Sequence, residues 1–283
     1  MYLQIEPFFA CNFKCMMCVQ GIPELRKKFG YIEKLKTEQI KKILEEGQRY
    51  NCPSISFHGD NEPFLAPEMT DWFKMARDHG FIDIMVNTNG STIDRELARK
   101  IVESGVTRLR FSLDAISKET FEIVRRSKEL PQIMKNIEMF IEVRDEMNSP
   151  LPKVGVNFIK MAANIHELEP FIEYWNPKVD YIVIQDYMTH DVKGDYGHLD
   201  IDNRNPLADF KCVFPWQRVF IRGDGDVLPC CTAFSTYMKI GNIYEDSIYN
   251  IWQSKKARDL RKLQAEGRYM ENEYCLECSR SGT

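Results

Sequence analysis

The stretch SISFHGDNEPFLAPEMTDWFKMARDHGFIDIMVNTNG, residues 54–90, decides the fold class. Its two ends, SISFHG (54–59) and IDIMVNTNG (82–90), are short apolar runs typical of buried strands. Between them, residues 67–80 have the apolar spacing of a helix that ends at Gly80. A strand, a helix and a second strand joined by short loops predict two parallel strands with a crossover helix.

The same alternation continues on both sides of this unit. Strands are predicted at 3–9, 107–114, 153–161 and 179–186, and helices at 37–50, 92–105, 117–127, 131–147 and 164–175, with Thr37 as the N-cap of the first. Repeats of this kind predict an α/β fold, a partial (β/α)6 barrel curled by right-handed crossovers. Ligands of such a barrel lie at the carboxyl ends of its strands.

Composition excludes several classes of protein. The 283 residues are 43% hydrophobic and 28% charged, with a formal net charge of -4, which gives no reason to expect nucleic acid or an anionic membrane as partner. The start of the chain has no signal-peptide pattern, and no apolar run is long enough to span a membrane. We therefore expect a cytoplasmic protein, in which nine cysteines indicate metal or redox chemistry rather than disulfides.

The character of the chain changes after residue 186. Residues 1–186 form the predicted barrel, and the polar segment 187–211 is interpreted as a linker or substrate-covering loop. Residues 212–283 are expected to form a small α+β domain, with a hairpin at 216–229 and an amphipathic helix at 246–267.

Three cysteines lie close together after the first strand, in CNFKCMMC: Cys11, Cys15 and Cys18. Three thiolates hold three irons of a [4Fe–4S] cluster and leave the fourth open to another ligand. A zinc site would need a fourth side chain, and none follows closely in this loop. The motif resembles the signature of the radical S-adenosylmethionine (SAM) superfamily. That resemblance implies that SAM chelates the open iron and that Met17 lies beside its adenine.

Further positions match polar residues of that family. GDNEP (59–63) resembles the glycine-rich stretch that receives the SAM amino group, and VRRS offers Arg125 or, equally on spacing, Arg126 for the SAM carboxylate. Asn164 could also be a plain N-cap. The resemblance implies these cofactor-binding residues: Met17, Gly59, Glu62, Asn89, Ser112, Asp114, Arg125, Asn164 and Gln185.

The tail contains a second group of cysteines. It resembles the SPASM domain, and more closely its shorter relative, the twitch domain, because five cysteines are too few for two clusters. The resemblance implies one auxiliary [4Fe–4S] cluster held by Cys212, Cys230, Cys275 and Cys278, with Cys231 as a bystander or alternate ligand. Such a cluster has no open iron, so it transfers electrons or stabilises the fold. A structural zinc is the alternative.

The tail spacing is similar to that of the twitch-domain aminocyclitol dehydrogenases. This resemblance implies a radical SAM oxidoreductase that forms a 5′-deoxyadenosyl radical, removes hydrogen from a small sugar- or cyclitol-like substrate, and takes electrons from a donor such as flavodoxin or ferredoxin. Candidates for the base that takes the hydroxyl proton are His58, Asp60, Tyr187, His190 and Arg222. The alternatives are a peptide-modifying maturase and, from another class, a zinc-binding interaction module without catalysis.

Overall fold

The computed structural model describes residues 1–188, 199–201 and 210–280. In these residues, nine strands form one sheet: β1 Tyr2–Glu6, β2 Ser54–Ser56, β3 Asp83–Thr88, β4 Arg108–Ser112, β5 Lys153–Lys160, β6 Tyr181–Asp186, β7 Arg218–Arg222, β8 Asp226–Leu228 and β9 Gly241–Asn242. The helices are α1 Pro23–Phe29, α2 Thr37–Arg49, α3 Met69–Asp78, α4 Arg95–Glu103, α5 Lys118–Arg125, α6 Leu130–Glu146, α7 Leu168–Trp175, α8 Phe214–Gln217, α9 Ile248–Trp252, α10 Lys255–Ala265 and α11 Glu273–Arg280.

The sheet order is β6-β5-β4-β3-β2-β1-β7-β8-β9, and it is open, with β6 and β9 at its edges. Strands β1 to β6 run parallel, as the alternating pattern predicts, so the α/β class and the partial barrel are confirmed. Strand β7 also pairs in parallel with β1, and β8 and β9 then add antiparallel. The hairpin at 216–229 is confirmed, and it extends the barrel sheet.

Strands β1 to β5 have one apolar face and one mainly polar face, because successive side chains point to opposite sides of a sheet. In β4, Leu109 and Phe111 are fully buried, whereas Arg108, Arg110 and Ser112 are partly accessible. The apolar faces of β1 to β5 belong to one large core cluster that also includes residues of the helices. The barrel therefore buries its core between sheet and helices, and its concave face is polar.

Several local predictions were wrong. Lys36, not Thr37, is the N-cap of α2, and the Thr37 hydroxyl instead accepts a hydrogen bond from Trp72 Nε1 (3.1 Å). The single helix predicted at 246–267 is two helices, because the Ser254 side chain caps a new helix by accepting from the Ala257 N–H. The C-terminal cysteines lie on α11, a helix that the sequence pattern did not indicate.

Two points concern regions beyond these elements. His190 and most of the predicted covering loop, 187–211, lie outside the described residues, and the domain division at 186 and 212 stays a prediction. Among the helices of the described residues, none has the length and apolar character needed to cross a bilayer.

Candidate active site

The first cysteine loop follows β1 and is folded tightly on itself. The Cys18 N–H donates to the Cys15 carbonyl (3.2 Å), and the Gly21 N–H donates to the Cys18 carbonyl (2.9 Å). A Cβ atom on Gly21 would lie 1.9 Å from the Cys15 carbonyl oxygen, so a larger residue cannot occupy this position without moving the loop. The local sequence therefore closes the loop in a form that brings the three thiols together.

The three thiols influence one another. Burial raises the pKa of Cys11 to about 11, and the nearby Glu62 and Cys15 add to the rise. Burial also raises the pKa of Cys18 well above its usual value, with contributions from Asp60, Cys15 and Cys11. In the described residues, no three His, Cys, Asp or Glu side chains are grouped tightly enough to hold a single metal ion. The donor set, three thiols around shared space, fits a [4Fe–4S] cluster with one open iron.

The loop GDNEP is held against the end of β1 by Glu6. The Glu6 carboxylate accepts from the Asp60 N–H and from the Tyr31 hydroxyl (2.8 Å to Oε1). A Cβ atom on Gly59 would lie 2.1 Å from Glu6 Oε2, so glycine is required here for a close approach. Burial and the neighbouring Asp60 raise the pKa of Glu6 to about 8. Sequence reasoning missed Glu6, although a carboxylate on an otherwise buried strand was a visible signal.

Glu62 connects this loop to the end of β3. Its Oε1 accepts from the Thr88 hydroxyl (2.7 Å) and the Phe64 N–H (3.2 Å), and its Oε2 accepts from the Asn89 N–H (2.7 Å). Burial raises the pKa of Glu62 to about 7 despite these donors. The Asn89 amide lies 4.0 Å from Cys11 Sγ. Glu62 therefore positions Asn89 beside the first cysteine.

Asp114 and Arg125 form a buried ion pair beside Cys15. Asp114 has a left-handed backbone (φ 63°), and its side chain accepts from the Ile159 N–H (2.8 Å) and pairs with Arg125 Nη2 (2.5 Å). Burial raises the pKa of Asp114, and the Arg125 charge opposes this rise. Arg125 Nη1 lies 3.6 Å from Cys15 Sγ. An arginine is thus held at the edge of the space that the thiols surround.

The structure decides between alternatives that the sequence spacing left open for Arg125, Arg126 and Asn164. Arg126 donates to the Gly21 carbonyl (2.8 Å), behind the cysteine loop, whereas Arg125 lines the cavity described below. The Asn164 side chain makes no N-cap hydrogen bond; its amide donates to the Asp114 carbonyl (2.8 Å). Met17, Ser112 and Gln185 also line the cavity.

The second group of cysteines is formed by Cys212, Cys230, Cys231, Cys275 and Cys278, all of which line the same cavity. Burial raises the pKa of Cys230 and of Cys275 to about 12, with neighbouring cysteines adding to each rise. Cys231 is distinguished by a contact of 3.1 Å with Arg218 Nη1. Four further thiols around shared space fit one complete cluster.

A cavity of about 750 Å³ is lined by Cys18 of the first cysteine group and by all five cysteines of the second group. The first group follows the carboxyl end of β1, whereas β8 runs antiparallel and places Cys230 and Cys231 near the amino end of β1. The five residues of β1 span about 15 Å, so the two groups lie at opposite ends of the barrel interior.

The candidate bases occupy different places. His58 and Asp60 line this cavity. Tyr187 belongs to the hydrophobic core, and Arg222 donates to the Phe29 carbonyl (2.9 Å) and the Thr236 hydroxyl (2.9 Å); neither lines the cavity. Burial and the charges of Arg110, Arg218 and Arg108 lower the pKa of His58 to about 3, so its imidazole is neutral near pH 7.

The family model described as "Radical SAM superfamily" matches residues 5–150, just over half of the chain. The chain belongs to the radical SAM superfamily. A second model, an iron–sulfur cluster-binding domain named SPASM, matches residues 212–279. This radical SAM enzyme therefore uses SAM, a [4Fe–4S] cluster and an auxiliary iron–sulfur cluster, as both cysteine groups predict. These matches argue against the alternative of a zinc-binding interaction module without catalysis.

Several relatives are similar over much of the chain. The "Tungsten-containing aldehyde ferredoxin oxidoreductase cofactor-modifying protein" of Pyrococcus furiosus is 23% identical, over 98% of this chain and 87% of that protein. The "GTP 3',8-cyclase" of Thermodesulfovibrio yellowstonii is 29% identical, over 64% of this chain and 53% of that protein. This chain thus spans about half the length of that cyclase.

Two solved structures share the fold at low identity. BtrN in complex with AdoMet and 2-DOIA has a TM-score of 0.61 and 19% identity, covering 97% of this chain and 92% of that chain. anSMEcpe with bound AdoMet and Cp18Cys peptide has a TM-score of 0.70 and 16% identity, covering 98% of this chain and 87% of that chain. One of these complexes thus contains a small molecule and the other a peptide.

Proposed function

We propose that this radical SAM enzyme is an oxidoreductase that dehydrogenates a small hydroxylated molecule. In this proposal Cys11, Cys15 and Cys18 hold the SAM-binding cluster. Cys212, Cys230, Cys275 and Cys278 hold the auxiliary cluster. The observation that carries the proposal is a cavity that is lined by Cys18 of the first group and by the cysteines of the second group.

The walls of the cavity suit a polar substrate. Between the two cysteine groups the strands contribute several polar side chains to these walls, among them Gln4, Ser54, Asn87, Ser112 and Asn157. A substrate between these walls would contact the SAM site at one end and the auxiliary site at the other. This arrangement supports an oxidation in which hydrogen leaves at one end and an electron leaves at the other.

With its cofactors bound, the first site would supply the radical chemistry that removes one hydrogen atom from a substrate carbon. The chain itself must then accept the hydroxyl proton, because a ketone forms from an alcohol only when that proton leaves. Asp60 lines the cavity near Cys18 and is the proposed acceptor. Neutral His58, with its lowered pKa, is suited to hydrogen bonding rather than to taking the proton.

The proposal also assigns roles around SAM. Arg125 would meet the SAM carboxylate, and Met17 and Gln185 would flank its adenine, since all three line the cavity. Glu62, Asn89, Asp114 and Asn164 would position the SAM-binding loops through the hydrogen bonds described above. Flavodoxin or ferredoxin is the proposed electron donor.

The test is anaerobic incubation of the iron-loaded protein with SAM, dithionite and polyols carrying deuterium at single carbons. The proposal predicts one ketone and one 5′-deoxyadenosine per turnover, with deuterium transferred from one position. Cys15→Ala should abolish both products, and Asp60→Asn should lower ketone formation at least tenfold. Cys52→Ala, which changes a buried cysteine outside both groups, is the matched control and should change neither.

Two results would contradict the proposed reaction. The first is formation of 5′-deoxyadenosine only with peptides, which would favour the maturase alternative. The second is a polyol product at the oxidation level of the starting material, which would indicate rearrangement or epimerisation.

A further inference from the structure

Three arginine side chains line the part of the cavity that lies between the two cysteine groups. Below Asp60, its charged lining residues are Arg108, Arg110, Arg218 and Asp83, together with the neutral imidazole of His58. Asp60 and Asp83 are thus the carboxylates that line the cavity, and the guanidinium groups of these three arginines are always charged. Arg110 and Arg218 form no ion pair with a carboxylate from residues 1–188, 199–201 or 210–280, whereas Arg108 does.

Two of these arginines have other partners. Arg108 forms a two-point pair with Asp83, through Nε to Oδ1 (2.9 Å) and Nη2 to Oδ2 (2.5 Å). Arg218 donates to Gln4 Oε1 (3.2 Å) and contacts Cys231 Sγ (3.1 Å). Arg108 is therefore neutralised, and Arg218 lies against the auxiliary cysteines.

Arg110 has a different environment. Its Nη2 contacts only the weak acceptor Met85 Sδ (3.6 Å), and its Nε is buried with no hydrogen-bond partner in the described part of the chain. Burial of a guanidinium N–H without an acceptor costs free energy. An acceptor atom of a bound ligand would recover that free energy. The Tyr181 ring lies 5.9 Å from the guanidinium carbon and packs over Gly155, which Arg110 faces in the next strand.

Neutral polar groups surround Arg110 on the same concave face. Asn87 pairs with Arg110 across strands β3 and β4, and Asn157 pairs with Ser112 across β4 and β5. The side-chain oxygens of both asparagines, and Nδ1 of His58, are buried without a hydrogen-bond partner among the described residues. Amide and imidazole groups of this kind can form hydrogen bonds with the hydroxyl groups of a substrate.

We propose that Arg110 binds an oxyanion of the substrate, a carboxylate or a phosphate, while Asn87 and Asn157 bind its hydroxyl groups. The substrate class is therefore a small anionic polyol, and this inference rests on the proposed function. Arg110 lies two residues before Ser112, about 7 Å along the strand, so a hydroxylated carbon next to the oxyanion would lie near the SAM end. The positive charge of Arg110 also disfavours an ammonium group of a substrate next to it.

The test is binding of four matched probes to the iron-loaded, SAM-bound protein under anaerobic conditions, by isothermal titration calorimetry. The probes are glucose, glucosamine, glucuronate and glucose 6-phosphate, which are neutral, cationic, carboxylated and phosphorylated. At least one anionic probe should bind at least tenfold more tightly than glucose, and glucosamine more weakly. Comparing the two anions identifies which oxyanion the site prefers.

Substitutions of Arg110 test whether this side chain causes the preference for anionic probes. Arg110→Gln should remove the preference for the anion, and Arg110→Lys should weaken it severalfold because a lysine cannot make the two-point contact. Arg95→Gln removes an exposed arginine elsewhere and is the matched control, which should bind as the wild type does. Circular dichroism and iron content establish that each variant is folded and loaded.

The outcomes separate this inference from the proposed function. Equal binding of glucose and both anions by the wild type would overturn the oxyanion site, whatever the variants do, and so would an anion preference that survives in folded Arg110→Gln. If an anion binds through Arg110 but no alcohol yields a ketone, the site stands and the proposed reaction fails.

Discussion

At the scale of single residues, buried carboxyl groups around the SAM end determine how the loops are held. Glu6, Glu62 and Asp114 each accept at least one backbone N–H from a loop or neighbouring strand. Glu62 and Asp114 were visible because the family resemblance named their positions. Glu6 was missed, although a carboxylate on a buried strand is a visible signal, because its role depends on Gly59 and Tyr31, which are distant in sequence and meet only in the fold.

We expect Glu6 to make stability depend on pH. Its pKa in the folded protein is about 8, so folding favours the neutral carboxyl. The unfolded chain ionises above its ordinary pKa of about 4.3. The free energy of unfolding should therefore fall as pH rises from about 4.3 to about 8, by at most about 1.4 kcal/mol per pH unit.

Urea denaturation at pH 5.5 and pH 8.5 measures this dependence. Glu6→Gln should lose part of the decrease, because glutamine has no proton to release. Glu245→Gln, at an exposed position, is the control and should retain it. An unchanged pH dependence in Glu6→Gln would contradict the assignment.

The Asp114–Arg125 pair makes a second prediction at this scale. Asp114→Ala leaves the Arg125 charge buried without its carboxylate, which should lower the free energy of unfolding by about 3–5 kcal/mol. Glu146→Ala breaks an exposed pair with Arg95 and should cost no more than about 1 kcal/mol. Equal losses in the two variants, measured by urea denaturation, would show that burial of the Asp114 pair does not matter.

At the scale of elements, the pattern of the sequence located most strands and helices because each has a strong local signal. The run RLRFS, for example, alternates apolar and polar side chains and is β4. Contacts between distant segments gave no such signal. The parallel pairing of β7 with β1 joins Arg218 to Tyr2, more than 200 residues away, and nothing local in either strand specifies that partner.

The same limit applies to the site. The cysteines could be assigned to two groups from spacing alone. That Cys18 and the second group line one cavity, and that Arg110 faces it while Arg222 does not, follows from strand pairing and register. Local pattern determines which face of a strand is polar, but only the assembled sheet determines what that face meets.

The cysteine loop offers a prediction at this scale. Gly21→Ala would place a Cβ atom against the Cys15 carbonyl and should displace the loop. Iron content should fall from about eight to about four atoms per chain if only the first cluster is lost. Gly80→Ala introduces a Cβ at a left-handed glycine with no atom within 4 Å; it should cost about 1–2 kcal/mol of stability and leave the iron content unchanged. A fully loaded Gly21→Ala protein would show that the loop tolerates the side chain.

At the scale of the whole molecule, the two cysteine groups at opposite ends of one interior divide the proposed reaction into two halves. In the proposed reaction, hydrogen would be removed at the carboxyl end of the barrel and the second electron at the amino end. The hairpin makes this division possible, because β7 extends the barrel sheet and β8 returns Cys230 and Cys231 to the amino end of β1.

Cys275→Ala tests this division directly, because it removes one proposed ligand from the amino end and leaves the first cysteine loop unchanged. The variant should hold about four irons per chain instead of about eight. It should still form 5′-deoxyadenosine in the presence of substrate, but ketone per 5′-deoxyadenosine should fall at least tenfold. Cys231→Ala should keep its iron and its ketone yield if Cys231 is a bystander. A Cys275→Ala protein that lacks the second cluster yet forms ketone in the wild-type ratio would show that the electron leaves by another route.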